Sequence, residues 1–455
     1  MAQLTLLSQF IELRMGLHFP PNRLKDLKRG IISAAPELGF TEVDKCIDWL
    51  LSSPVSDETI ETLAGHLTIG ETYFFRDLRI FEILESKILP EILNTRRGKE
   101  QYLRIWSAGC ATGEEPYSLA ILLSRLLPDR ADWHITILAT DIAPPCLRRA
   151  AEGLYSEWSF RDTPKWVREG YFERRGRQLA VIPSVKEMVT FAHLNLAEDV
   201  YPAILNNTSG MDLILCRNVL MYFSPTRALA VLEKLSRCLV DRGWLAIGPA
   251  EGPASRLSPF LQAVSFPGAI LFRKNRALPE SKASESVRPP IPPVKVPTDR
   301  RRLRTAARQA VAAAAPAPRE EDEEIRRTEA EQARLLADRG RLAEALALCA
   351  EAIARIKLDP AIHYLQATIL QEMDRGDEAA AALRRAIYID QNFAVAHFAL
   401  GHLLSRQGKK RASSKHLQRA RTLLRAIDPD DFPPEAEGMR AGRLIELIDR
   451  MENIS

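Results

Sequence analysis

Between residues 102 and 275 the chain alternates short apolar runs with stretches of helical periodicity. Parallel strands need crossover connections, usually helices, so this alternation predicts a parallel sheet covered by helices on both faces. The apolar runs are 102–106, 134–140, 188–193, 211–216 and 244–248, and the helical stretches are 115–127, 144–151 and 225–240. Two further runs, 263–266 and 269–274, flank Pro267-Gly268 and predict a hairpin that adds an antiparallel strand. We therefore predict an α/β domain over residues 76–275.

Residues 1–75 have the pattern of a separate helical domain. Apolar residues recur there at helical spacing, and Pro20-Pro21-Asn22 is a typical helix start. The helix expected after these prolines carries four basic residues on roughly one side: Arg23, Lys25, Lys28 and Arg29. Two interpretations of this basic side stay open, a docking surface for an acidic partner and a solvated helix face.

Residues 321–455 contain an internal repeat. Ala352-Ile353, Ala386-Ile387 and Ala420-Arg421 follow one another at a 34-residue period, with glycines at the intervening turns. Paired helices of this period, with small residues at packing positions, are typical of tetratricopeptide repeats, although an ordinary Ala-rich bundle remains the alternative. Three repeats are near the minimum for a stable stack.

The predicted repeat stack has a concave face that suits a peptide or a partner helix. Four residues are expected to line it: His363, Tyr364, His397 and Phe398. Of these, we expect Phe398 to pack in the core and His363 to stay outside it.

Residues 276–320 join the two parts and differ in composition. They hold eight prolines, an Ala-rich run and the arginine cluster 300–302. Such a segment lacks the apolar content of a core and is interpreted as a linker. The arginines could contact nucleic acid or acidic lipid, but a solvated linker charge is the preferred interpretation.

Composition excludes several classes of protein. The 63 Lys and Arg residues exceed the 59 Asp and Glu residues by only four, too few to indicate a nucleic-acid binder by bulk charge. The six cysteines form no CxxC pair, which argues against a zinc module and a disulfide framework. No apolar run approaches the roughly 20 residues that span a bilayer. We expect a cytoplasmic protein without a metal site, a nucleic-acid partner or a membrane-embedded segment.

The segment RIWSAGCATGEEPYSLA (104–120) is the strongest local signal. A strand runs into the small-residue segment 107–113, which contains Gly109 and Gly113, and a helix begins at Glu114. Small residues here let the main chain approach a ligand closely, although the segment is neither a GxGxxG fingerprint nor a Walker A loop. Because two glutamates already place negative charge at the helix N-terminus, the loop suits a cationic amino or sulfonium group better than a phosphate. A tight turn without a ligand is the alternative.

Polar residues also follow two other predicted strands. Asp141 ends the second strand, where an acid of a doubly wound sheet typically binds two ribose hydroxyls, although a helix N-cap is the alternative. Arg217 and Asn218 directly follow the fourth strand, and Tyr222 lies four residues further on. Ligands of open α/β sheets bind at these carboxyl ends, so we expect these side chains in one site.

Five segments, in order along the chain, resemble the motifs of the chemotaxis-receptor glutamate O-methyltransferases, the CheR family. They are TYFFRD (72–77), WSAGCATGEEPYS (106–118), ATDI (139–142), HLNL (193–196) and CRNVLMYF (216–223). The resemblance covers residues 1 to about 274, and the tail resembles the subgroup that carries tetratricopeptide repeats after a linker. It implies a Rossmann-like methyltransferase sheet, S-adenosylmethionine as cofactor with S-adenosylhomocysteine as product, and the cytoplasmic domain of a chemoreceptor as methyl acceptor.

The resemblance also implies roles for single residues on the amino-terminal motifs. Thr72 and Arg76 would approach the cofactor from the helical side. Glu115 best matches the ligand glutamate of the family, with Glu114 beside it, and Asp141 would bind the ribose hydroxyls.

On the later motifs, Asn195 and Leu196 would flank the adenine. Arg217 and Asn218 would close the site near the reacting end, and Tyr222 would lie near the transferred methyl. Gly70 departs from the family, since relatives often have an asparagine two residues before the threonine, and this puts one cofactor contact in doubt.

The expected reaction needs little acid–base chemistry. A glutamate carboxylate is already ionised near pH 7, because its reference pKa is about 4.3, so no general base is required. The enzyme then has to position the two reactants and exclude water. The candidate catalytic residues are Arg76, Arg217 and Tyr222, since their side chains can orient a carboxylate. We expect His193 to be structural.

Two other functions remain open beside this one. An adaptor could retain the fold, lose catalysis and act through its repeats, or the enzyme could methylate a small carboxylic acid. The family resemblance also implies a small β-subdomain within residues 153–190 that can dock receptor tails. The repeats would hold a receptor, another protein or a peptide near the catalytic domain.

Overall fold

The computed structural model describes residues 2–98, 101–203, 206–248, 251, 260–274, 329–337, 340–355, 358–373, 375–429, 431–436 and 439–454. The predicted linker, 276–320, lies outside the described residues.

A seven-stranded mixed sheet forms the centre of the described structure. Its strands stand in the order β6-β2-β1-β7-β8-β10-β9, and the pairs among the first five are parallel. The α/β prediction is confirmed, and so is the hairpin, because β9 and β10 pair antiparallel at the edge. The strands are β1 (Tyr102–Ala108), β2 (His134–Asp141), β6 (Val189–His193), β7 (Met211–Cys216), β8 (Leu239–Ile247), β9 (Leu261–Phe266) and β10 (Ala269–Lys274).

Helices cover both faces of the sheet because β1 and β7 are apolar on both sides. Leu103 and Ile105 pack in one cluster with α7, whereas Trp106 and Ala108 pack in another with α11. The helices around the sheet are α5 (Leu78–Ile83), α6 (Leu89–Arg96), α7 (Glu114–Leu126), α8 (Pro144–Glu152), α9 (Lys165–Tyr171), α10 (Pro183–Lys186) and α11 (Pro225–Cys238).

A small antiparallel sheet lies between β2 and β6 along the chain. Its strands, β3 (Leu154–Tyr155), β4 (Phe172–Arg175) and β5 (Gln178–Val181), pair in the order β3-β5-β4. Phe172, at the start of β4, packs edge-on against Phe74 with ring centroids 4.9 Å apart. The small sheet is therefore joined to the TYFFRD loop.

Four helices form the amino-terminal part: α1 (Ala2–Met15), α2 (Leu24–Ala34), α3 (Val43–Ser52) and α4 (Asp57–Leu67). Ser56 caps α4, since its hydroxyl accepts the N–H of Thr59 at 3.3 Å. The four helices share one core that also includes Ala143, the residue before α8. This shared core holds α1 and α4 against the side of the sheet where β2 ends.

Helix pairs follow the predicted period in the carboxyl-terminal part. They comprise α12 (329–337), α13 (Leu342–Arg355), α14 (Pro360–Glu372), α15 (Gly376–Ile389), α16 (Ala394–Arg406) and α17 (Lys410–Leu424), followed by a last helix, α18 (Ala441–Ile454). Small residues permit close packing, since a Cβ on Gly401 would lie 2.7 Å from the side chain of Leu417. Phe398 is buried as expected, but the prediction for His363 is wrong because only 4% of it is exposed.

The repeat domain packs directly against the α/β domain and the amino-terminal helices. The hydroxyl of Tyr102 donates to the carbonyl oxygen of Gly340 at 2.7 Å. On α18, Arg443 lies 3.6 Å from Asp57 and 3.3 Å from Nδ1 of His193. These contacts join both ends of the repeat domain to the rest of the described structure. Within the described ranges we find no helix with the length and apolarity of a membrane span.

Candidate active site

Two adjoining cavities lie where β1, β2 and β7 end. The larger has a volume of about 640 Å³ and the smaller about 450 Å³, and Ile69, Gly109, Ala111 and Asn218 line both. Among the predicted residues, the larger is also lined by Asp141, Asn195, Leu196 and Tyr222, and the smaller by Thr72, Arg76, Glu115 and Arg217. The structure thus brings most of the predicted residues into one cleft.

The loop after β1 forms the floor between the cavities. Gly109 has a φ of 82°, and a Cβ there would lie 2.3 Å from Cγ2 of Val219, so only glycine fits. The N–H groups of Gly109 and Cys110 both donate to the carbonyl oxygen of Thr140, at 2.8 and 2.9 Å. The main chain of this loop is therefore fixed before any ligand binds.

Asp141 reaches the larger cavity from the end of β2. Its two oxygens accept the N–H groups of Ala111 and Ala143, each at 2.9 Å. Burial raises the pKa of this carboxyl, and bonds from the N–H groups of Ala143, Ala111 and Ile142 act in the opposite direction. A carboxylate can accept about four hydrogen bonds, so these N–H groups leave acceptor capacity for a ligand.

Asn195 and Leu196 close the far end of the larger cavity. The amide nitrogen of Asn195 donates to the carbonyl oxygen of Arg14 at 3.0 Å, and its oxygen accepts the N–H of Ala197 at 3.0 Å. Met15 and Leu17, at and just after the end of α1, line the same cavity. The amino-terminal domain therefore supplies one wall of the cleft.

Arg217 joins two carboxylates behind the smaller cavity. Nη1 donates to Glu115 at 3.1 Å, while Nη2 donates to Asp77 and, at 2.8 Å, to the carbonyl oxygen of Arg76. Glu115 also accepts the hydroxyl of Ser107 at 2.7 Å. Arg217 thus fixes the positions of the two carboxylates, whereas the sequence suggested that it could bind an acceptor.

Glu114 is turned away from the cleft. Its carboxylate accepts the hydroxyls of Thr112 at 2.6 Å and Ser159 at 3.0 Å, and it lines neither cavity. Burial raises its pKa, and the two hydroxyl bonds act against this shift. The structure therefore gives Glu114 a role in joining α7 to residue 159, and not a place at the cofactor site.

Glu251 holds the loop that carries Asn218 and Tyr222. One oxygen accepts the N–H groups of Asn218 and Gly248, at 3.0 and 2.6 Å. The other accepts those of Val219 and Met221, at 2.7 and 3.2 Å. Asn218 has a φ of 59°, and these bonds stabilise that left-handed conformation.

The sequence analysis missed two residues of this site. Asp77 belongs to the TYFFRD motif, which was interpreted through its threonine and arginine alone. Glu251 follows β8, at the same edge of the sheet as Asp141 and Arg217, so its position after the last parallel strand was the available signal.

The open side of the smaller cavity is lined by Thr72, Tyr73 and Arg76. The guanidinium of Arg76 donates to the carbonyl oxygen of Glu71 at 2.8 Å and lies 6.0 Å from the centre of the Tyr73 ring. Tyr222 lies on the other side of the cleft, where its carbonyl oxygen accepts the N–H of His18 at 2.7 Å. The cleft thus lies between the TYFFRD loop on one side and the RNVLMY loop (217–222) on the other.

The chemistry of the cleft fits a cationic sulfonium ligand with a nucleoside. Asp77 and Glu115 carry two negative charges against the single charge of Arg217, which favours a cation nearby. Within the described residues, Nε of Arg217 is buried without a hydrogen-bond partner. Because Ile69, Gly109, Ala111 and Asn218 line both cavities, a single ligand can contact both.

Comparisons with known proteins identify the family of the chain. The family model described as the CheR methyltransferase SAM-binding domain matches residues 70–260. A chemotaxis protein methyltransferase of Borreliella burgdorferi is 31% identical over 255 residues, which cover 55% of this chain and 87% of that protein. One from Listeria monocytogenes is 36% identical over 237 residues, which cover 52% of this chain and 85% of that protein.

A third relative extends further along the chain. The probable biofilm formation methyltransferase WspC of Pseudomonas aeruginosa is 28% identical over 379 residues, which cover 79% of this chain and 85% of that protein. The match therefore reaches into the repeat domain. From the family model and these relatives, S-adenosylmethionine is the cofactor, and the chain belongs to the CheR family of chemotaxis protein methyltransferases.

Proposed function

We propose that this protein transfers a methyl group from S-adenosylmethionine to glutamate side chains of a chemoreceptor-like signalling protein, which gives glutamyl methyl esters. The observation that carries the proposal is the division of charge in the cleft. Arg217 is bound to Asp77 and Glu115 deep in the site, whereas Arg76 at the open side donates to a main-chain oxygen. A carboxylate that enters from solvent therefore meets the guanidinium of Arg76 first.

The cofactor residues are proposed from the same geometry. Asp141 would accept the ribose hydroxyls in the larger cavity, with Asn195 and Leu196 beside the adenine. Glu115, held by Arg217, would lie near the cationic end of the ligand, and Thr72 and Asn218 would contact it from opposite sides. At Gly109 the main chain would approach the cofactor closely, because no side chain stands between them.

The residues of the chain have to position two reactants and exclude water. When bound, S-adenosylmethionine supplies a methyl group on a positively charged sulfur, and transfer to a carboxylate oxygen leaves a neutral thioether. Arg76 would orient the acceptor carboxylate through charge-assisted hydrogen bonds, and the Tyr222 hydroxyl would do so without neutralising it. No residue needs to remove a proton, because the acceptor is already ionised near pH 7.

The relatives guide the choice of acceptor. Two of them are named for chemotaxis, and the one that extends into the repeats is named for biofilm formation. We therefore propose a receptor of the methyl-accepting kind as substrate and leave its pathway undefined. The bonds of Arg217 to Glu115 and Asp77 are a reason to prefer an enzyme over an adaptor that acts only through its repeats.

The test is a methylation assay with labelled cofactor. The full chain is incubated with methyl-labelled S-adenosylmethionine and cytoplasmic fragments of candidate receptors, with glutamate as a small-acid control. A glutamyl methyl ester releases labelled methanol in base, whereas a methylated nitrogen does not. Substitution of the acceptor glutamates by alanine should remove the label.

Two results would contradict the proposal. Label on free glutamate but on no receptor would favour a small-acid methyltransferase. Receptor binding without label transfer would favour the adaptor.

A further inference from the structure

A stacked group of aromatic and guanidinium side chains stands beside the open side of the smaller cavity. The guanidinium of Arg161 lies 3.9 Å from the ring centre of Tyr73 and 4.6 Å from that of Trp158. Tyr73 lines the cavity, whereas 65% of Trp158 is exposed. We call Tyr73, Arg161 and Trp158 the aromatic wall.

The aromatic wall is fixed to the loop that carries Thr72 and Arg76. The N–H of Phe74 donates to the carbonyl oxygen of Ser159 at 2.9 Å, and the Thr163 hydroxyl donates to that of Phe74 at 3.0 Å. The rings of Phe74 and Phe160 stack with centroids 4.8 Å apart. A surface held in place in this way loses little conformational entropy when a partner binds.

Its composition is that of a protein-binding surface. Tryptophan, tyrosine and arginine are the residues most enriched where protein partners bind tightly. Exposed apolar side chains that stand singly elsewhere on a surface are normal and do not indicate a binding site. Ile69 adds apolar area at the cleft itself, because it lines both cavities and is 62% exposed. Exposed apolar groups around a charged cleft suit a macromolecular acceptor better than a small acid.

The spacing between the wall and Arg76 matches one turn of a helix. The Arg76 guanidinium lies 6.0 Å from the Tyr73 ring centre, and side chains three or four residues apart on a helix are about 5–6 Å apart. A helix that presents a carboxylate to Arg76 therefore places its next side chain along the same face over Tyr73. Arg161 extends that face towards Trp158, and its bond of 2.7 Å to Glu71 keeps it in position.

We propose that the aromatic wall is the seat for an acceptor helix, and that it binds an apolar side chain one turn from the glutamate that is methylated. This inference rests on the proposed function, since it assigns a recognition surface to the same reaction. The partner is a helical segment of the methyl-accepting protein with a glutamate and an apolar residue three or four positions apart. The wall sets affinity for the acceptor and leaves the cofactor site untouched.

The experiment compares Trp158→Ala with wild type and with two controls, all as the full chain. Phe260→Ala removes another exposed aromatic residue, which directly precedes β9 at the edge of the sheet opposite the cleft. Trp158→Phe keeps an aromatic ring. Each variant is assayed for methylation of one receptor fragment over a range of concentrations, and for S-adenosylhomocysteine affinity by calorimetry.

We expect Trp158→Ala to raise the KM for the receptor by about tenfold, as loss of an aromatic contact in a protein interface does. The kcat at saturating receptor and the affinity for S-adenosylhomocysteine should stay at the wild-type values, and Trp158→Phe should recover most of the KM. Phe260→Ala should match wild type throughout.

Three results would overturn the inference while leaving the methyltransferase proposal intact: an unchanged receptor KM in Trp158→Ala, a fall in kcat alone, or an equal loss in Phe260→Ala. If wild type itself methylates no receptor fragment, the proposed function fails instead, so the two failures are distinguishable.

Discussion

The guanidinium of Arg104, on the first strand of the central sheet, lies 3.8 Å from the carboxylate of Glu372 in the repeat domain, and both side chains are buried. Arg104 also donates to the side-chain oxygen of Asn207 at 2.6 Å and to the carbonyl oxygen of Ser209 at 3.0 Å. Each charge loses hydration, so each depends on these partners. The two domains are thus coupled through a buried ion pair.

Removing one member of this pair should destabilise the protein strongly. Glu372→Gln leaves the buried Arg104 with less compensation, and such losses cost roughly 3–5 kcal/mol. The double variant Arg104→Met with Glu372→Met should recover most of that loss, since a buried pair can be replaced by apolar groups. Urea unfolding of the single and double variants measures this. A single variant as stable as wild type would show that the domains do not depend on the contact.

Asp141→Ala should weaken cofactor-product binding without unfolding the chain. Charge-assisted hydrogen bonds contribute about 1.5–3 kcal/mol each, so affinity for S-adenosylhomocysteine should fall at least tenfold. Calorimetry measures the affinity, and circular dichroism checks the fold. Asp162→Ala, at an exposed position, is the matched control. An affinity equal to wild type would show that the ribose assignment is wrong.

Binding of S-adenosylhomocysteine should also depend on pH through Asp141. Burial raises the pKa of this carboxyl, so it takes up a proton at a higher pH than an ordinary aspartate, whose pKa is about 3.9. Because the protonated form accepts fewer hydrogen bonds, affinity should be constant at high pH and fall as pH decreases through the raised pKa. Asp141→Asn should bind weakly and lose this dependence. A wild-type affinity that stays constant down to pH 4 would contradict the prediction.

Glu251→Gln should lower turnover more than it lowers cofactor affinity. The amide replaces one acceptor oxygen by a donor, which then faces N–H groups of the RNVLMY loop. An unsatisfied buried group costs about 1–3 kcal/mol, so kcat should fall about tenfold or more as Asn218 and Tyr222 shift. Steady-state kinetics measure this, with Glu233→Gln on the exposed side of α11 as control. An unchanged kcat would mean that the loop keeps its position without the carboxylate.

Truncation after residue 320 tests what the repeats contribute. If they hold the acceptor, the rate should fall at low receptor concentration and recover at saturation, because tethering raises the local concentration. The truncated chain also exposes Tyr102 and Arg104, so its stability has to be measured alongside. Equal loss at both concentrations would indicate a structural or allosteric role, and no loss would indicate a partner outside the reaction.

The sheet and the end-of-strand residues were predictable because they follow from local patterns. Apolar runs gave the parallel strands to within a few residues, and the parallel arrangement then brought Asp141 and Arg217 to one edge. Glu251 also follows a parallel strand, but its task is to accept main-chain N–H groups 30 to 33 residues away, and beyond that position nothing in the local sequence indicates this task.

In the repeat domain, the sequence pattern predicted the helices but not their packing partners. Their period predicted helix pairs, but it could not predict what covers the inner helices. His363 is buried, and Tyr364 lies in one core cluster with Leu444 and Ile448 of α18. Contacts between distant segments of this kind are absent from a 34-residue period.

The contacts of Tyr102 and Arg104 with the repeats have a geometric consequence. A domain on a long linker samples many distances, whereas one that packs through a buried ion pair keeps a set distance and orientation. A receptor bound to the outer surface of the repeats would therefore present only those glutamates that lie one fixed span from the cleft. In such an arrangement the repeat domain would select positions along a receptor helix, so methylation would occur at defined intervals.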